Sequence, residues 1–371
     1  MSTLPRPPVP MAGFLSDPDA DRGLVHLGDY EREAARRLDP GPLAYYSGGA
    51  EDEVTLADNL AAFRRRRLLP RMMRDVAAVD PSTTILGRRW PLPVFVAPTA
   101  LQRMAHPEGE RASARAAAQR GVTMTLSTSA SVDMAEVAAI GGPRWYQVYL
   151  LEEPGARRAM IERAALCGYE ALVLTVDLQR LGRRERDVRA GFSIPAGVEL
   201  PNIARAAGVA AADAPHVPFI ARLGWEHLEW LTTFGLPVWV KGILHPDDAR
   251  LAFDHGASGV IVSNHGGRQL DRAIASLDAL AAVVDAVGDR GPVLVDGGIR
   301  RGVDVLIALA LGAAAVGIGR PILWGLAVDG ERGVGRVLDL LGAELERAMA
   351  LAGAAEVGAI DRALLAPEDR R

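Results

Sequence analysis

Cysteine is almost missing from this chain, with Cys167 the single example in 371 residues. One thiol excludes an intrachain disulfide framework, and with no cysteine–histidine cluster no metal site is expected. Excess positive charge is missing too: 42 lysine and arginine residues face 46 aspartate and glutamate residues, for a net charge of -4 and a pI near 6.0. That balance gives no overall basic field for nucleic acid. Long apolar runs are also absent. The first residues, broken by Pro5, Pro7, Pro8 and Pro10, hold no apolar core of signal-peptide length, and nothing downstream reaches the roughly 20 residues of a membrane-spanning helix. The expectation is a soluble, cytoplasmic protein with a loose, disordered tail over residues 1–23. No P-loop occurs, and Gly317-Ile318-Gly319 lacks the rest of a Rossmann fingerprint.

What is present is a rhythm. After a charged helix candidate (Asp29 to Leu38), the break Pro40-Gly41-Pro42, two adjacent tyrosines, a helix candidate (Glu51 to Phe63) and a basic run (Arg64 to Arg67) read as a solvated face, short apolar strands alternate with amphipathic helices. The strand candidates are Pro93 to Ala97, Thr123 to Leu126, Trp145 to Tyr149, Ala171 to Val176, Pro237 to Val240, Gly259 to Val262, Pro292 to Val295 and Ala315 to Ile318. Helix candidates between and after them are Glu108 to Gln119, Gly155 to Leu166, Pro246 to Asp254, Leu277 to Val287 and Val303 to Leu311. Continuously apolar strands covered by helices imply a parallel sheet, and eight of them predict an α/β fold of the (β/α)8 TIM-barrel kind, one domain over residues 24–371. The fourth gap is long: Arg184 to Gly224 reads as a mobile loop over the barrel mouth.

Barrel enzymes place their chemistry at the C-terminal ends of the strands, and here nearly every strand ends in polar atoms. The richest end is Ser263-Asn264-His265-Gly266-Gly267-Arg268-Gln269-Leu270-Asp271, with a potential base, a cation and a carboxylate in nine residues. Taken alone, His265 is either a base or a capping residue, and Asp271 reads as orienting the loop or capping the next helix. Gly297, Gly298, Gly319 and Arg320 follow strands seven and eight, where such barrels commonly grip a phosphate through backbone N–H groups. Lys241, directly after the buried run Val238-Trp239-Val240, requires an anion, a polarised carbonyl or a Schiff-base partner. A flavin becomes negative on reduction, and one phosphate suits FMN better than a dinucleotide.

With these residues in view the chain resembles the FMN-dependent (S)-2-hydroxy acid oxidases and dehydrogenases, which include glycolate oxidase, lactate oxidase, mandelate dehydrogenase and 4-hydroxymandelate oxidase. The resemblance runs from Tyr30 to about Leu365. It is carried by Tyr45-Tyr46-Ser47-Gly48-Gly49-Ala50-Glu51-Asp52, Ala97-Pro98-Thr99-Ala100, His106-Pro107-Glu108-Gly109-Glu110, Leu174-Thr175-Val176-Asp177, Arg180-Leu181-Gly182-Arg183-Arg184-Glu185 and Asp296-Gly297-Gly298-Ile299-Arg300-Arg301-Gly302, besides the His265 stretch.

The resemblance implies that His265 is the base, Asp177 its partner and Tyr149 a donor to the substrate hydroxyl. It implies that Arg184 and Arg268, with Tyr45, hold the substrate carboxylate, a task suited to bidentate guanidinium groups. For FMN it implies Pro98, Thr99 and Ala100 against the ring, Ser127, Gln147, Thr175 and Lys241 at its edge, and Ser263 as a further contact. Asp296, Gly298, Arg300, Gly319 and Arg320 would hold the ribityl chain and phosphate. The reaction implied is oxidation of an (S)-2-hydroxy acid to the 2-keto acid by a homotetramer. The chain lacks the apolar loop insertion of the membrane-bound members and the haem module of others, which favours oxygen as acceptor and H2O2 as product; a soluble dehydrogenase with another acceptor is the alternative. Ser129 departs from glycolate oxidase, which has an aromatic residue there, and this implies room for a bulky substrate side chain. Tyr45-Tyr46, in contrast, is closer to the aliphatic oxidases. Two other classes stay open: a Schiff-base aldolase or isomerase on Lys241 and a non-catalytic flavin-binding protein.

Overall fold

The computed structural model describes residues 23–367, so the expectation for the tail up to residue 22 lies outside the described residues. Three helices come first: α1 (Leu27–Arg37), α2 (Pro40–Ser47) and α3 (Val54–Arg65). A small antiparallel hairpin follows, β1 (Thr83–Ile85) with β2 (Arg88–Trp90). Eight parallel strands then close into a barrel: β3 (Val94–Val96), β4 (Thr123–Leu126), β5 (Arg144–Val148), β6 (Leu172–Thr175), β7 (Val238–Ile243), β8 (Gly259–Val262), β9 (Val293–Asp296) and β10 (Ala315–Ile318), with β10 pairing β3. Every strand expected from the sequence overlaps one of these eight. The intervening helices are α4 (Glu110–Gln119), α5 (Met134–Ile140), α6 (Pro154–Leu166), α7 (Glu185–Arg189), α8 (Pro201–Ala207), α9 (Trp225–Thr232), α10 (Pro246–Asp254), α11 (Ser276–Val287) and α12 (Gly302–Ala310), and α13 (Arg320–Ala352) ends the set.

The runs look continuously apolar because both strand faces are covered, but the two faces bury different residues. Val94, Val96, Met124, Leu126, Leu172, Leu174, Val238, Val240, Val260 and Val262 pack outward in the main core with the helices. Phe95, Trp145, Val173, Trp239, Ile261, Leu294 and Ala315 form a separate cluster with Ile85 and Trp90 of the hairpin. Trp145 stacks on Trp239 at 4.9 Å, and Trp90 lies 5.4 Å from Trp145. Side chains alternate along a strand, so the residues two positions further on lie on the same inward face. Those are Ala97, Gln147, Thr175, Lys241, Ser263, Asp296 and Gly317: a mostly polar layer above an aromatic one.

Four departures from the sequence reading have physical causes. Pro40-Gly41-Pro42 does not interrupt the chain but opens α2, because proline is tolerated in the first helical turn, where its missing N–H has no partner anyway. The long segment Arg184 to Gly224 carries α7, α8 and a 3-10 stretch, and it is pinned to the exit of β5 by Glu152 N to Pro218 O and Ile220 N to Leu150 O, both 2.9 Å. The basic run is only partly a solvated face: Arg66, partly buried, and Arg65 both pair with Asp278 of α11. Asp271 caps a helix, but not the next one. It accepts N–H groups of Thr55 at 2.9 Å and Val54 at 3.3 Å, at the start of α3, whose own N-cap Glu53 is left-handed and makes no side-chain cap.

Asp271 is buried, and these N–H bonds outweigh burial, which pushes its carboxyl up, so its net shift is downward. A carboxyl lowered in the folded state stabilises above its unfolded value and loses that contribution as pH falls through the folded one. Asp271→Ala is therefore expected to lower stability at pH 7 by about 1 kcal/mol, as for other lost caps. Urea unfolding should show this deficit shrinking below about pH 4.

Candidate active site

The polar layer opens at the C-terminal mouth into a cavity of about 300 Å3. Of the twenty residues expected at a site, eighteen line it: His265, Tyr149, Tyr45, Arg184, Arg268, Ser129, Pro98, Thr99, Ala100, Ser127, Gln147, Thr175, Lys241, Asp296, Gly298, Arg300, Gly319 and Arg320. Asp177 and Ser263 stand directly behind this wall.

On one side lies a proton-transfer pair. His265 Nδ1 donates to Asp177 Oδ1 at 2.9 Å, which leaves Nε2 facing the cavity, 3.4 Å from the Tyr149 hydroxyl. Burial pushes the imidazole below its ordinary value against the opposing pull of Asp177, with Lys241 and Arg268 adding to the lowering, so His265 is neutral at pH 7 and can accept a proton. Burial raises the Asp177 carboxyl, but His265 and Lys241 outweigh it and hold the net value below the usual range. Burial also keeps the Tyr149 hydroxyl protonated, a donor at any working pH. His265 has φ +59, a left-handed conformation unusual for a side chain of this size, and its N–H is held at 3.1 Å by Ser263 Oγ. Asp177 in turn requires Gly242, at the bulge between β7 and β8, because a Cβ there would lie 2.7 Å from the Asp177 carboxyl carbon.

Facing this pair are two guanidinium groups. Arg268 and Arg184 lie over the Tyr45 ring at 4.9 and 5.9 Å, and Phe192 stacks on the same ring at 4.7 Å. Arg268 donates to the carbonyls of Tyr45 and Gly48, and Arg184 reaches Gln269 at 3.5 Å. Neither forms an ion pair among the described residues. Burial and the nearby Arg184 push Arg268 down to about 10, still a full cation at neutral pH.

At the far end lie Arg300 and Arg320. Arg320 donates to the carbonyls of Tyr46, Gly266 and Gly48, each at 2.9 Å, and Arg300 lies 4.7 Å over the Trp324 ring. Burial lowers both, and no carboxylate pairs with either among the described residues. Gly297 and Gly298 follow β9 with φ +98 and +85, and Gly319 is the N-cap of α13, so backbone N–H groups and two cations meet at one end of the cavity. Between the ends, Lys241 Nζ sits 3.3 Å from Asp296 and 2.9 Å from Ser263 Oγ. It is the single lysine among the 42 basic residues, a composition signal that already marks a site where arginine does not substitute. Gln147 Nε2, Thr175 Oγ1 and Asp296 Oδ1 are buried with no protein partner. Orphaned donors and acceptors, a cation beside them and an anion seat at the end fit a flat polar ring carrying one phosphate.

Several lining residues escaped the sequence reading. Leu178, Leu181 and Phe219 come from the segment after β6, and Phe219 packs 5.4 Å from Tyr149. Their only signal was apolar character in a stretch without periodicity. Tyr46, beside Tyr45, touches the cavity but is mainly structural: its hydroxyl donates to Leu101 O at 2.6 Å.

Comparison with known proteins agrees with this geometry. The profile of the FMN-dependent dehydrogenases matches residues 34–367. The chain is 46% identical to L-lactate oxidase from a Nostoc species, with 92% of this chain and 98% of that protein covered. It is 44% identical to glycolate oxidase from Spinacia oleracea, with 93% and 96% covered. Among solved structures, mandelate oxidase with (S)-4-hydroxymandelic acid superposes with a TM-score of 0.87 at 44% identity, covering 92% of this chain and 98% of that one. On its sequence, its barrel and its cofactor-shaped cavity, the chain belongs to the FMN-dependent dehydrogenase family, with FMN as its cofactor.

Proposed function

We propose that this protein oxidises an (S)-2-hydroxy acid to the 2-keto acid and passes the electrons to O2, yielding H2O2. The observation that carries this reading is His265, hydrogen-bonded to Asp177, facing two arginines without carboxylate partners across one cavity. A 2-hydroxy acid presents a carboxylate next to a proton-bearing carbon and hydroxyl, which is the spacing such a pair of walls addresses. Arg184 and Arg268 take the carboxylate with the Tyr45 hydroxyl, and Tyr149 donates to the substrate's hydroxyl oxygen. His265 Nε2 accepts a proton, and Asp177 stabilises the imidazolium that forms. Bound FMN supplies the two-electron acceptor, while the second proton leaves with the electrons. Pro98, Thr99 and Ala100 would back the flavin ring. Ser127, Gln147, Thr175 and Lys241 would bond its edge, and Ser263 acts by holding Lys241 and the His265 backbone. Asp296, Gly298, Arg300, Gly319 and Arg320 would hold the ribityl chain and phosphate.

Further parts of the reading concern substrate, compartment and assembly. Ser129 lines the cavity where an aromatic residue would close it, and Leu178, Leu181 and Phe219 add apolar wall, which supports a bulky, aryl-bearing substrate. The reading includes one catalytic domain over residues 24–371, a cytoplasmic location and a homotetramer. Among the described residues no helix is long and apolar enough to cross a membrane, and Met72, Met73 and Leu351 are exposed as a homo-oligomer's contact face would require. The Schiff-base reading is set aside, because Lys241 is held by Asp296 and Ser263 and the family uses FMN.

His265→Ala should stay yellow and lose flavin bleaching by 2-hydroxy acids under anaerobic conditions, by roughly 10^2- to 10^4-fold in rate. In the native enzyme kcat/KM should be level above neutrality and fall about tenfold per pH unit below a value under 6.5, since a protonated imidazole cannot accept a proton. For substrate choice, kcat/KM should be higher for (S)-mandelate than for glycolate; the reverse order removes the argument from Ser129. Stopped-flow mixing of reduced enzyme with air-saturated buffer should give rapid reoxidation with H2O2 formed, whereas slow reoxidation would mark a dehydrogenase with another acceptor.

A further inference from the structure

Outside the barrel, α3 carries a buried amide with an unusual set of partners. Asn59 and Asn264 exchange a reciprocal pair of hydrogen bonds, Asn59 Nδ2 to Asn264 Oδ1 at 2.9 Å and Asn264 Nδ2 to Asn59 Oδ1 at 2.8 Å. Both are almost fully buried. Asn264 Oδ1 also accepts Gly267 N at 3.1 Å, so the amide spans the left-handed turn that contains His265. Asn59 Oδ1 accepts Ser276 N at 3.2 Å, and Ser276 Oγ accepts Asn264 N at 3.1 Å, which closes a ring of bonds around the base of that turn. The same residue meets the next loop through its backbone: a Cβ on Gly298 would stand 2.1 Å from Asn59 O, so the turn after β9 rests directly against it.

We propose that Asn59 is a positioning residue: its amide registers the turn carrying His265 and its backbone carbonyl backs the Gly297–Gly298 turn, so that one residue outside the barrel meets both the base and the seat of the cofactor phosphate. This rests on the reading of His265 as the base. The physical argument is satisfaction: an amide that is both donor and acceptor fits Asn264 in one orientation only, and a partly satisfied buried network costs more than none. A left-handed histidine does not persist without such support, because its surroundings must over-determine it. The bonded partners of Asn59 are neutral. Charged and titratable groups on the elements packed around it are engaged elsewhere: Asp271 by the start of α3, Asp278 by Arg65 and Arg66, Asp58 by Arg65, Arg300 over Trp324, His265 by Asp177, and Arg320 by the carbonyls of Tyr46, Gly266 and Gly48.

Neutral hydrogen-bond partners make Asn59→Asp a discriminating variant. Its carboxyl keeps the shape and, when protonated, the donor to Asn264; ionised, it faces Asn264 Oδ1 with no proton to give. Burial raises its value above the ordinary aspartate value near 4, against the pull of Arg320 on the same turn. The test is anaerobic stopped-flow reduction of the holoenzyme by (S)-lactate and (S)-mandelate from about pH 5 to 9, with FMN affinity of the apoproteins measured by fluorescence titration. Wild type should rise through the His265 limb to a plateau. Asn59→Asp should match wild type only where its carboxyl is protonated, so its rate relative to wild type should fall as pH rises and stay low throughout where the carboxyl is already ionised. Asn59→Ala, which keeps the backbone contact to Gly298, should be roughly tenfold or more slower at every pH with FMN affinity near that of wild type; if it does not fold, the isosteric aspartate variant decides. An aspartate variant with a wild-type plateau, or an alanine variant with an unchanged rate, overturns the proposal. Wild type that neither acid reduces would instead overturn the functional reading on which it rests.

Discussion

Closing eight parallel strands into a barrel constrains every other feature here. Side chains alternate, so each strand sends every second residue inward, and closure stacks those residues in layers inside the barrel. In this chain the lower level is Phe95, Trp145, Val173, Trp239, Ile261 and Leu294, sealed by Trp90 of the hairpin. The level above must then be Ala97, Gln147, Thr175, Lys241, Ser263 and Asp296. Lys241 can stand in the interior only because Asp296 and Ser263 arrive on the same level from other strands. The aromatic layer below keeps water from that side, so the polar atoms are satisfied by one another or by whatever enters from the mouth.

Charge is distributed unevenly above that layer. The centre is internally paired, with His265 hydrogen-bonded to Asp177 and Lys241 beside Asp296. The two ends are not: Arg184 and Arg268 on one side, Arg300 and Arg320 on the other, bond to carbonyls, aromatic faces or an amide instead of carboxylates. Asp187 of α7 lies in the field of Arg184 and Arg268 without forming an ion pair, and burial raises its own carboxyl. Buried cations satisfied only by dipoles are poorly compensated until an anion arrives. Two such ends match a cofactor with one phosphate and a substrate with one carboxylate, and they leave the paired centre free for proton transfer.

Much of this was legible in the sequence, for reasons that particular residues make plain. The strands could be read because burial on both faces demands unbroken apolar runs, and the polar residue ending each run marked the mouth. Asp177 and His265 could be paired only by resemblance, since 88 residues separate them and no periodicity links them. What could not be read depends on contacts distant in sequence. Nothing near Asp271 indicates that it caps α3, 216 residues away, and nothing near Asn59 announces Asn264. Gly242 looks like a strand interruption until the Asp177 side chain is placed against it. The segment after β6 lacks periodicity because its short helices and Phe219 are held by β5 and the cavity wall instead of by a face of their own.

Chemistry and substrate fit are carried by different parts of the chain. His265 stands on a turn tied to α3 and backed by a barrel strand, so its position is set by buried hydrogen bonds that a substrate never touches. Ser129 projects from the loop after β4, and Leu178, Leu181 and Phe219 from the segment after β6, where exposure is higher and fewer bonds hold each residue. A change of volume at Ser129 or Phe219 alters what fits beside the base without moving the base. A change at Asn59 or Asn264 does the opposite, because it moves a turn that every substrate meets. Rigid turns for proton transfer and an adaptable wall for side-chain fit therefore follow from where each residue is anchored, before any particular hydroxy acid is considered.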